Sequence, residues 1–262
     1  IMRIMRMALK DLPPTIEETL SSQLIKTFNL MPLRDALIQI HFQENEDLLS
    51  QARFYLRFEE LFYIQLKLLL NKQKRSSTQS GRMFTEVGYL FNTFFNDHLP
   101  FELTQAQKRV LKEIRKDTIS GKQMNRLLQG DVGSGKTVIA LFSMLLALDN
   151  KQQACLMAPT EILAAQHFQT ITSLLSNLPV NVELLTGSFP ESKKKAIIER
   201  ISSNETHILI GTHALIEDRV KFNDLGIVII DEQHRFGVEQ RAKLWMRQQP
   251  PHVLVMTATP IP

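Results

Sequence analysis

The sequence predicts an α/β fold: a parallel sheet with helices on both faces, preceded by an all-α region. Three observations carry this. From Phe101 onward, short apolar runs alternate with longer helix-like stretches, the texture of a sheet covered on each side. Runs such as Ile227-Val228-Ile229-Ile230 are apolar without interruption, which marks strands buried on both faces. Finally, Gly130 to Thr137 reads Gly-Asp-Val-Gly-Ser-Gly-Lys-Thr between a strand-like and a helix-like stretch. It fits G-x-x-x-x-G-K-[ST], the phosphate-binding P-loop, without departure.

The helical region comes first in the chain. Pro13-Pro14 is a break, and Thr15 to Phe28 reads as a helix. Pro32 suits the first turn of a second helix, to about His41, because its missing N–H costs nothing there. Asp47 to Lys74 is helical throughout, with Leu48, Ala52, Leu56, Phe62, Leu66 and Leu69 on one face and Phe54, Phe58, Leu61 and Leu68 opposite. Apolar residues on both faces predict a helix sandwiched between other elements. At helical spacing, the aromatics Phe54, Tyr55, Phe58, Phe62 and Tyr63 read as core packing rather than as a base-stacking platform. Lys72 to Arg82 is polar and basic without periodicity and reads as a linker. Met83 to Phe95 reads as one more helix, closed by His98-Leu99-Pro100.

Six strands are expected, at 126–129, 154–158, 182–185, 208–211, 227–230 and 253–256. Helices fill the gaps at 105–117, 137–148, 161–176, 190–202 and 238–247. In parallel sheets of this kind ligands bind at the carboxyl ends of the strands. Every polar motif described below falls at such an end.

Bulk properties set bounds. At 262 residues the chain can bury a substantial core, and 44% hydrophobic with 22% charged residues is an ordinary globular composition. A net charge of +4 and a pI near 9.2 lean mildly towards a polyanionic partner. The single cysteine, Cys155, excludes an internal disulfide and lies in an apolar run that reads as core. No apolar run reaches membrane-spanning length and no signal peptide is visible, so no membrane role and a cytoplasmic location are expected. The chain starts at Ile1 and stops at Pro262 directly after a motif-like stretch. A piece of a longer protein is therefore expected, acting as a monomer.

The candidate site is built around the P-loop. Gly130, Gly133 and Gly135 let the backbone curl so that N–H groups of Asp131, Val132, Ser134 and their neighbours point at a polyphosphate. Lys136 brings a compact positive charge to the β- and γ-phosphates, and the Thr137 hydroxyl suits Mg²⁺. Asp231 and Glu232 follow a buried strand. With a P-loop upstream, Asp231 is expected to hold Mg²⁺ and Glu232 to orient or deprotonate the attacking water. His234 and Thr257, the latter in Thr257-Ala258-Thr259-Pro260, are placed to couple the γ-phosphate to movement. Thr104 is a candidate N-cap. Gln107, whose amide both donates and accepts, is the candidate for reading adenine, with Phe101 as a stacking partner. Thr160 and Gln166, in the stretch from Ala158 to His167, and Thr212-His213 begin at strand ends and suit phosphate contacts along a nucleic-acid backbone. His167, His207 and His252 read as ordinary surface or packing residues. No pair of the seven histidines combines with acids or Cys155 at zinc-site spacing.

Taken in order, these motifs resemble the first motor lobe of superfamily 2 nucleic-acid helicases and translocases. The segments Gln129–Thr137, Asp231–Arg241 and Met256–Pro262 look more narrowly like the RecG-type branched-DNA helicases. Related coupling factors carry tyrosine at the position of Ser134 and Glu-Glu-Gln-Arg where this chain has Asp231 to His234. Primosomal helicases lack the continuation Arg235-Phe236-Gly237. Ala36-Leu37, Ile40-His41-Phe42 and Arg57 to Phe62 resemble the helices joining that family's DNA-binding wedge to its motor, with Gln43 standing where proline is common.

The resemblance implies an ATP-dependent, Mg²⁺-using helicase or translocase that remodels branched or forked DNA in recombination and repair. It implies that residues 1–82 follow a wedge (OB-fold) domain lying before Ile1. Residues 83–262 would be the first RecA-like ATP-binding lobe, with the second lobe after Pro262. In the isolated segment, ATP is expected to bind but to turn over poorly, since arginine fingers from a second lobe contribute about 10³–10⁵ in rate in related NTPases. Lys136, Thr137, Asp231, Glu232 and Gln107 take the family's nucleotide roles, and Arg235 joins the expected DNA contacts. Two other readings stay open: a double-stranded DNA translocase of the transcription-repair coupling type, and a non-motor ATP-binding switch.

Overall fold

The computed structural model describes residues 16–78, 81–232 and 250–258, with a few single positions before residue 16. The chain divides into two compact units, Ile1–Arg75 and Ser76–Pro262.

In the first unit, α1 (Ser22–Thr27), α2 (Leu33–His41) and the long α3 (Glu46–Thr78) enclose a small core of Leu20, Leu30, Leu33, Ala36, Ala52 and Tyr55. The first helix is shorter than expected. Residues 16–20 are not helical, because their polar groups serve other elements: Glu18 accepts from the Leu33 N–H at 2.9 Å and from the Tyr55 hydroxyl at 3.0 Å. Ser21 then caps α1 by accepting from the Leu24 N–H. Burial and the Glu18 carboxylate raise the Tyr55 phenol to about 12. The expected linker is helical as far as Thr78, since Lys, Gln and Arg propagate a helix well without periodicity. The sandwiched environment predicted for α3 is also corrected. Tyr55 and Ala52 are buried, but Leu61 and Leu69 are each 60% exposed, because α1 and α2 are too short to cover more than one face. The aromatic stripe packs on itself and on α1, Phe58 lying 4.8 Å from Phe28 and 6.1 Å from Phe62.

The second unit is a six-stranded, all-parallel sheet in the order β1-β6-β5-β2-β4-β3. The strands are β1 (Asn125–Gln129), β2 (Gln153–Met157), β3 (Val182–Leu185), β4 (Ile208–Gly211), β5 (Leu225–Asp231) and β6 (His252–Thr257). All six lie within two residues of their predicted bounds. Because successive side chains alternate across a strand, one strand feeds two cores. Leu156, Ile227, Ile229, Leu254 and Met256 enter one, and Cys155, Met157, Val228, Ile230, Val253 and Val255 enter the other. Helices α5 (Gln105–Thr118), α6 (Lys136–Asp149) and α7 (Glu161–Leu174) pack on the first face, and α8 (Glu191–Ser202) on the second.

Two polar devices close this fold at positions no local pattern announces. Gln153, fully buried at the start of β2, donates to the carbonyls of Ile201 and Thr206, both at 2.8 Å, and accepts from the Asp224 N–H. Asp149, at the end of α6, accepts from the N–H groups of Gly88, Leu90 and Phe91 at 2.9, 2.9 and 3.1 Å. It thereby caps α4 (Tyr89–Thr93) from a distant part of the chain, while Asn150 exchanges two hydrogen bonds with the Glu86 backbone. This clamp, with the bonds of the Phe84 N–H to the Thr118 carbonyl and of Arg115 to the Phe84 and Thr85 carbonyls, is why the expected helix over 83–95 starts only at Tyr89, residues 81–88 being held without helix; a π-helix, Phe94–His98, follows. Charge-assisted caps of this kind contribute about 1.5–3 kcal/mol per bond at most. Asp149→Ala is expected to lower unfolding free energy by about 2–4 kcal/mol in urea titration.

His252 supplies a pH dependence. It is completely buried at the start of β6, accepts from the Met124 N–H at 2.9 Å, and meets Phe84 edge-on at 4.7 Å. Burial pushes its imidazole down to about 4 from an ordinary 6.5. The unfolded chain therefore binds this proton first. Its stabilising contribution is complete above pH 6.5 and is lost as pH falls towards 4, amounting to about 3 kcal/mol. Denaturant titrations at pH 7 and pH 4.5 are expected to show this loss, and His252→Gln to flatten it.

Candidate nucleotide and nucleic-acid site

The P-loop joins the carboxyl end of β1 to α6. Gly133 and Gly135 take φ of +81° and +84°, a conformation that L side chains rarely adopt. At Gly135 a Cβ would also stand 2.4 Å from the Gln107 Nε2. Lys136 opens the helix, and its Nζ donates to the carbonyls of Gly130 at 2.6 Å and Asp131 at 2.8 Å. Its charge is thus held against the rim of the loop. Beyond it α6 is buried at every residue from Val138 to Ala147, with the Phe142 ring against Phe91 and Phe94 at 4.9 and 5.0 Å. The loop is mounted on a rigid element, as a phosphate cradle at a helix N-terminus requires.

Thr104 is the N-cap of α5 as expected, in a capping box with Gln107. Gln107 Oε1 accepts from the Thr104 N–H at 2.8 Å and Nε2 donates to the Ser134 carbonyl at 3.0 Å. The amide chosen for adenine therefore also ties α5 to the P-loop. Phe101, 46% exposed, precedes this cap.

Asp231 ends β5 and Glu232 follows it, two strands from β1, with β6 between them. The two carboxylates turn to different neighbours. Asp231 Oδ2 lies 2.8 Å from His167 Nε2 on α7, both side chains being largely buried. Glu232 takes a φ of +51°, a costly conformation for a residue with a Cβ. Its carboxylate accepts from the Ala258 N–H at 3.1 Å and from the Thr257 hydroxyl at 3.3 Å. The Gly130 N–H donates to the Thr257 carbonyl at 3.2 Å. P-loop, acid pair and the end of β6 are therefore one hydrogen-bonded rim along three adjacent strands.

The donor set fits the group it is expected to hold. Among the described residues no cluster of three or more His, Cys, Asp or Glu could hold a metal alone. One carboxylate and one hydroxyl, Asp231 and Thr137, suit Mg²⁺, which completes its shell with phosphate and water oxygens.

Other expected residues divide. Thr160 caps α7, accepting from the Leu163 N–H, and Gln166 is exposed on that helix. Thr212 is only 2% exposed, which withdraws its hydroxyl from the surface where a phosphate would lie. Gly211 beside it leaves no room for a Cβ, which would fall 2.1 Å from the Leu185 carbonyl. His213 opens a short 3₁₀ turn, His213–Ile216. His234, Arg235, Thr259, Pro260 and the helix expected at 238–247 lie outside the described residues. His207 and His252 have packing roles, His207 accepting from the Asn181 N–H at 2.9 Å. His167 is largely buried as well, and in addition meets Asp231. That bond spans 64 residues of sequence, and nothing local signals it.

The DEAD/DEAH box helicase model matches residues 104–262. The chain belongs to that family. Within the family it is similar to RecG-type helicases. It is 49% identical over 247 residues to the ATP-dependent DNA helicase RecG of Synechocystis sp., covering 94% of this chain and 30% of that one. It is 45% identical over 261 residues to RecG of Bacillus subtilis, covering 99% and 38%. The structure of RecG bound to a three-way DNA junction superposes with a TM-score of 0.83 at 40% identity, over 99% of this chain and 35% of that one. The DUF1998 helicase MrfA, at 17% identity and a TM-score of 0.54, shares the fold alone. This DEAD/DEAH box chain thus spans about a third of the length of the RecG relatives it matches. No helix among its described residues is long and apolar enough to cross a membrane.

Proposed function

We propose that this chain is the nucleotide-binding lobe, with the preceding helices, of an ATP-dependent helicase or translocase that remodels branched DNA in the cytoplasm. The observation that carries the reading is the continuous rim of P-loop, acid pair and β6 end, in which Glu232 is bonded to Thr257 and Ala258. The similarity to a RecG structure bound to a three-way DNA junction supports the choice of substrate. In this reading residues 1–82 act as the helical connection to a wedge domain, and a second motor lobe completes the site.

Lys136 and the N–H groups of Asp131, Val132, Gly133 and Gly135 bind the phosphates, and Thr137 with Asp231 would hold Mg²⁺, which would shield phosphate charge. Glu232 accepts the proton of the attacking water. Its bond to the Thr257 hydroxyl links that proton transfer to the end of β6. Gln107 reads adenine by exchanging one of its two present partners, with Phe101 beside it. His234 lies next to the acid pair in sequence and completes the γ-phosphate contacts. Thr160, Gln166, His213 and Arg235 are the residues assigned to nucleic acid; the buried Thr212 is not.

The test is ATP hydrolysis by the full-length protein with linear, single-stranded and forked DNA side by side. Greatest stimulation by forked DNA, with conversion of a fork to annealed products, is the expected result. Equal stimulation by linear duplex without strand separation would replace it with a coupling-type translocase. ATP binding without any DNA response would leave a non-motor switch.

A further inference from the structure

Asp231 belongs to β5, but the group that orients it belongs to α7. A carboxylate can only accept, so the hydrogen shared with His167 at 2.8 Å sits on the imidazole Nε2. The bond takes up one of the two carboxylate oxygens and fixes the rotation of the other. Both side chains are nearly enclosed, at 13% and 14% exposure, so water competes weakly and the bond is correspondingly firm.

Helix α7 has a second property. It starts at the carboxyl end of β2, capped by Thr160, and its first turn is locked to the loop after β3. Glu161 accepts from the Ser188 N–H at 3.0 Å and from the Ser188 hydroxyl at 2.7 Å. These two bonds tie the first turn of α7 to that loop. Ile162 in that turn and Gln166 are exposed, Thr160 and Glu161 are half-buried, and His167, the next residue after Gln166, meets Asp231. A ligand seated on the outside of α7 is one residue away from the side chain that aims the acid.

We propose that His167 is a positioning residue through which a nucleic-acid backbone bound on α7 sets the orientation of Asp231. The inference rests on the helicase reading and adds the route by which polynucleotide reaches the hydrolytic site. A small tilt of α7 moves Nε2, and through the hydrogen bond it turns the Asp231 carboxylate and its second oxygen. Nucleic acid need not touch the nucleotide for hydrolysis to respond.

The experiment compares His167→Gln, which keeps an N–H at similar reach, with His167→Leu, which keeps bulk and loses the donor. Steady-state ATP hydrolysis by the full-length protein is measured with and without a forked oligonucleotide duplex, and duplex affinity is measured separately. In His167→Leu the ratio of DNA-stimulated to DNA-free kcat is expected to fall about tenfold, with KM for ATP and duplex affinity changing by less than about twofold. His167→Gln is expected to recover most of the ratio. A wild-type ratio in His167→Leu, or equal loss in both variants, would overturn the proposal while leaving the helicase reading in place. Absence of DNA stimulation in the wild-type protein would overturn both.

Discussion

Lys136→Ala is expected to lower DNA-stimulated ATP hydrolysis by at least about 10²-fold, the usual cost of removing a group aimed at developing phosphate charge. The structure makes the lesion local. The ammonium lies against the Gly130 and Asp131 carbonyls at the loop's rim, while the helix behind it is anchored by buried residues from Val138 onward. Losing the side chain frees two solvent-accessible carbonyls and opens no core cavity, so the melting temperature is expected to change by less than about 2 °C. Lys136→Arg is expected to fail nearly as badly, because a planar guanidinium does not replace a compact ammonium within a tight loop. Full DNA stimulation in Lys136→Ala would reject the motor reading. Hydrolysis in the presence of forked DNA, beside a thermal melt, decides it.

Glu232→Gln is expected to separate binding from chemistry. Hydrolysis falls by about 10²–10⁴-fold, the range for loss of a general base, while ATP affinity stays within about threefold. The amide can keep the present contacts. Its oxygen accepts from the Ala258 N–H, and its NH₂ meets a Thr257 hydroxyl that can turn to accept. The backbone at φ +51° is therefore held as before, and what is lost is the ability to take a proton. Single-turnover hydrolysis alongside binding of a fluorescent ATP analogue reads both quantities. Hydrolysis within tenfold of the wild-type rate would remove Glu232 from the chemistry.

How much of this was legible in the sequence depended on how local its cause was. The strands were readable because Ile227 to Ile230 and Ala154 to Met157 are buried on both faces and are apolar throughout. The Thr104 N-cap was readable because a cap acts within one helical turn; that Gln107 closes the box from the other side was not read. The segment from Met83 to Phe95 was misjudged because its cap, Asp149, is about sixty residues downstream. The basic stretch 72–78 was misjudged because helix propagation needs no apolar stripe. At the site, residue types announced the P-loop and the acid pair. That Gln107 would grip the loop, that Thr212 would be buried, and that His167 would meet Asp231 were matters of tertiary placement alone.

The Asp149–Asn150 clamp has a mechanical meaning. The polypeptide reaching the sheet unit through residues 86–91 is fastened to the last turn of the helix whose first turn is the phosphate loop. Just before it, residues 84–85 are tied to the end of α5, the Phe84 N–H donating to the Thr118 carbonyl and Arg115 donating to the Phe84 and Thr85 carbonyls. The entering segment is thus moored to two helices in succession, and the second of them carries the ATP grip at its far end.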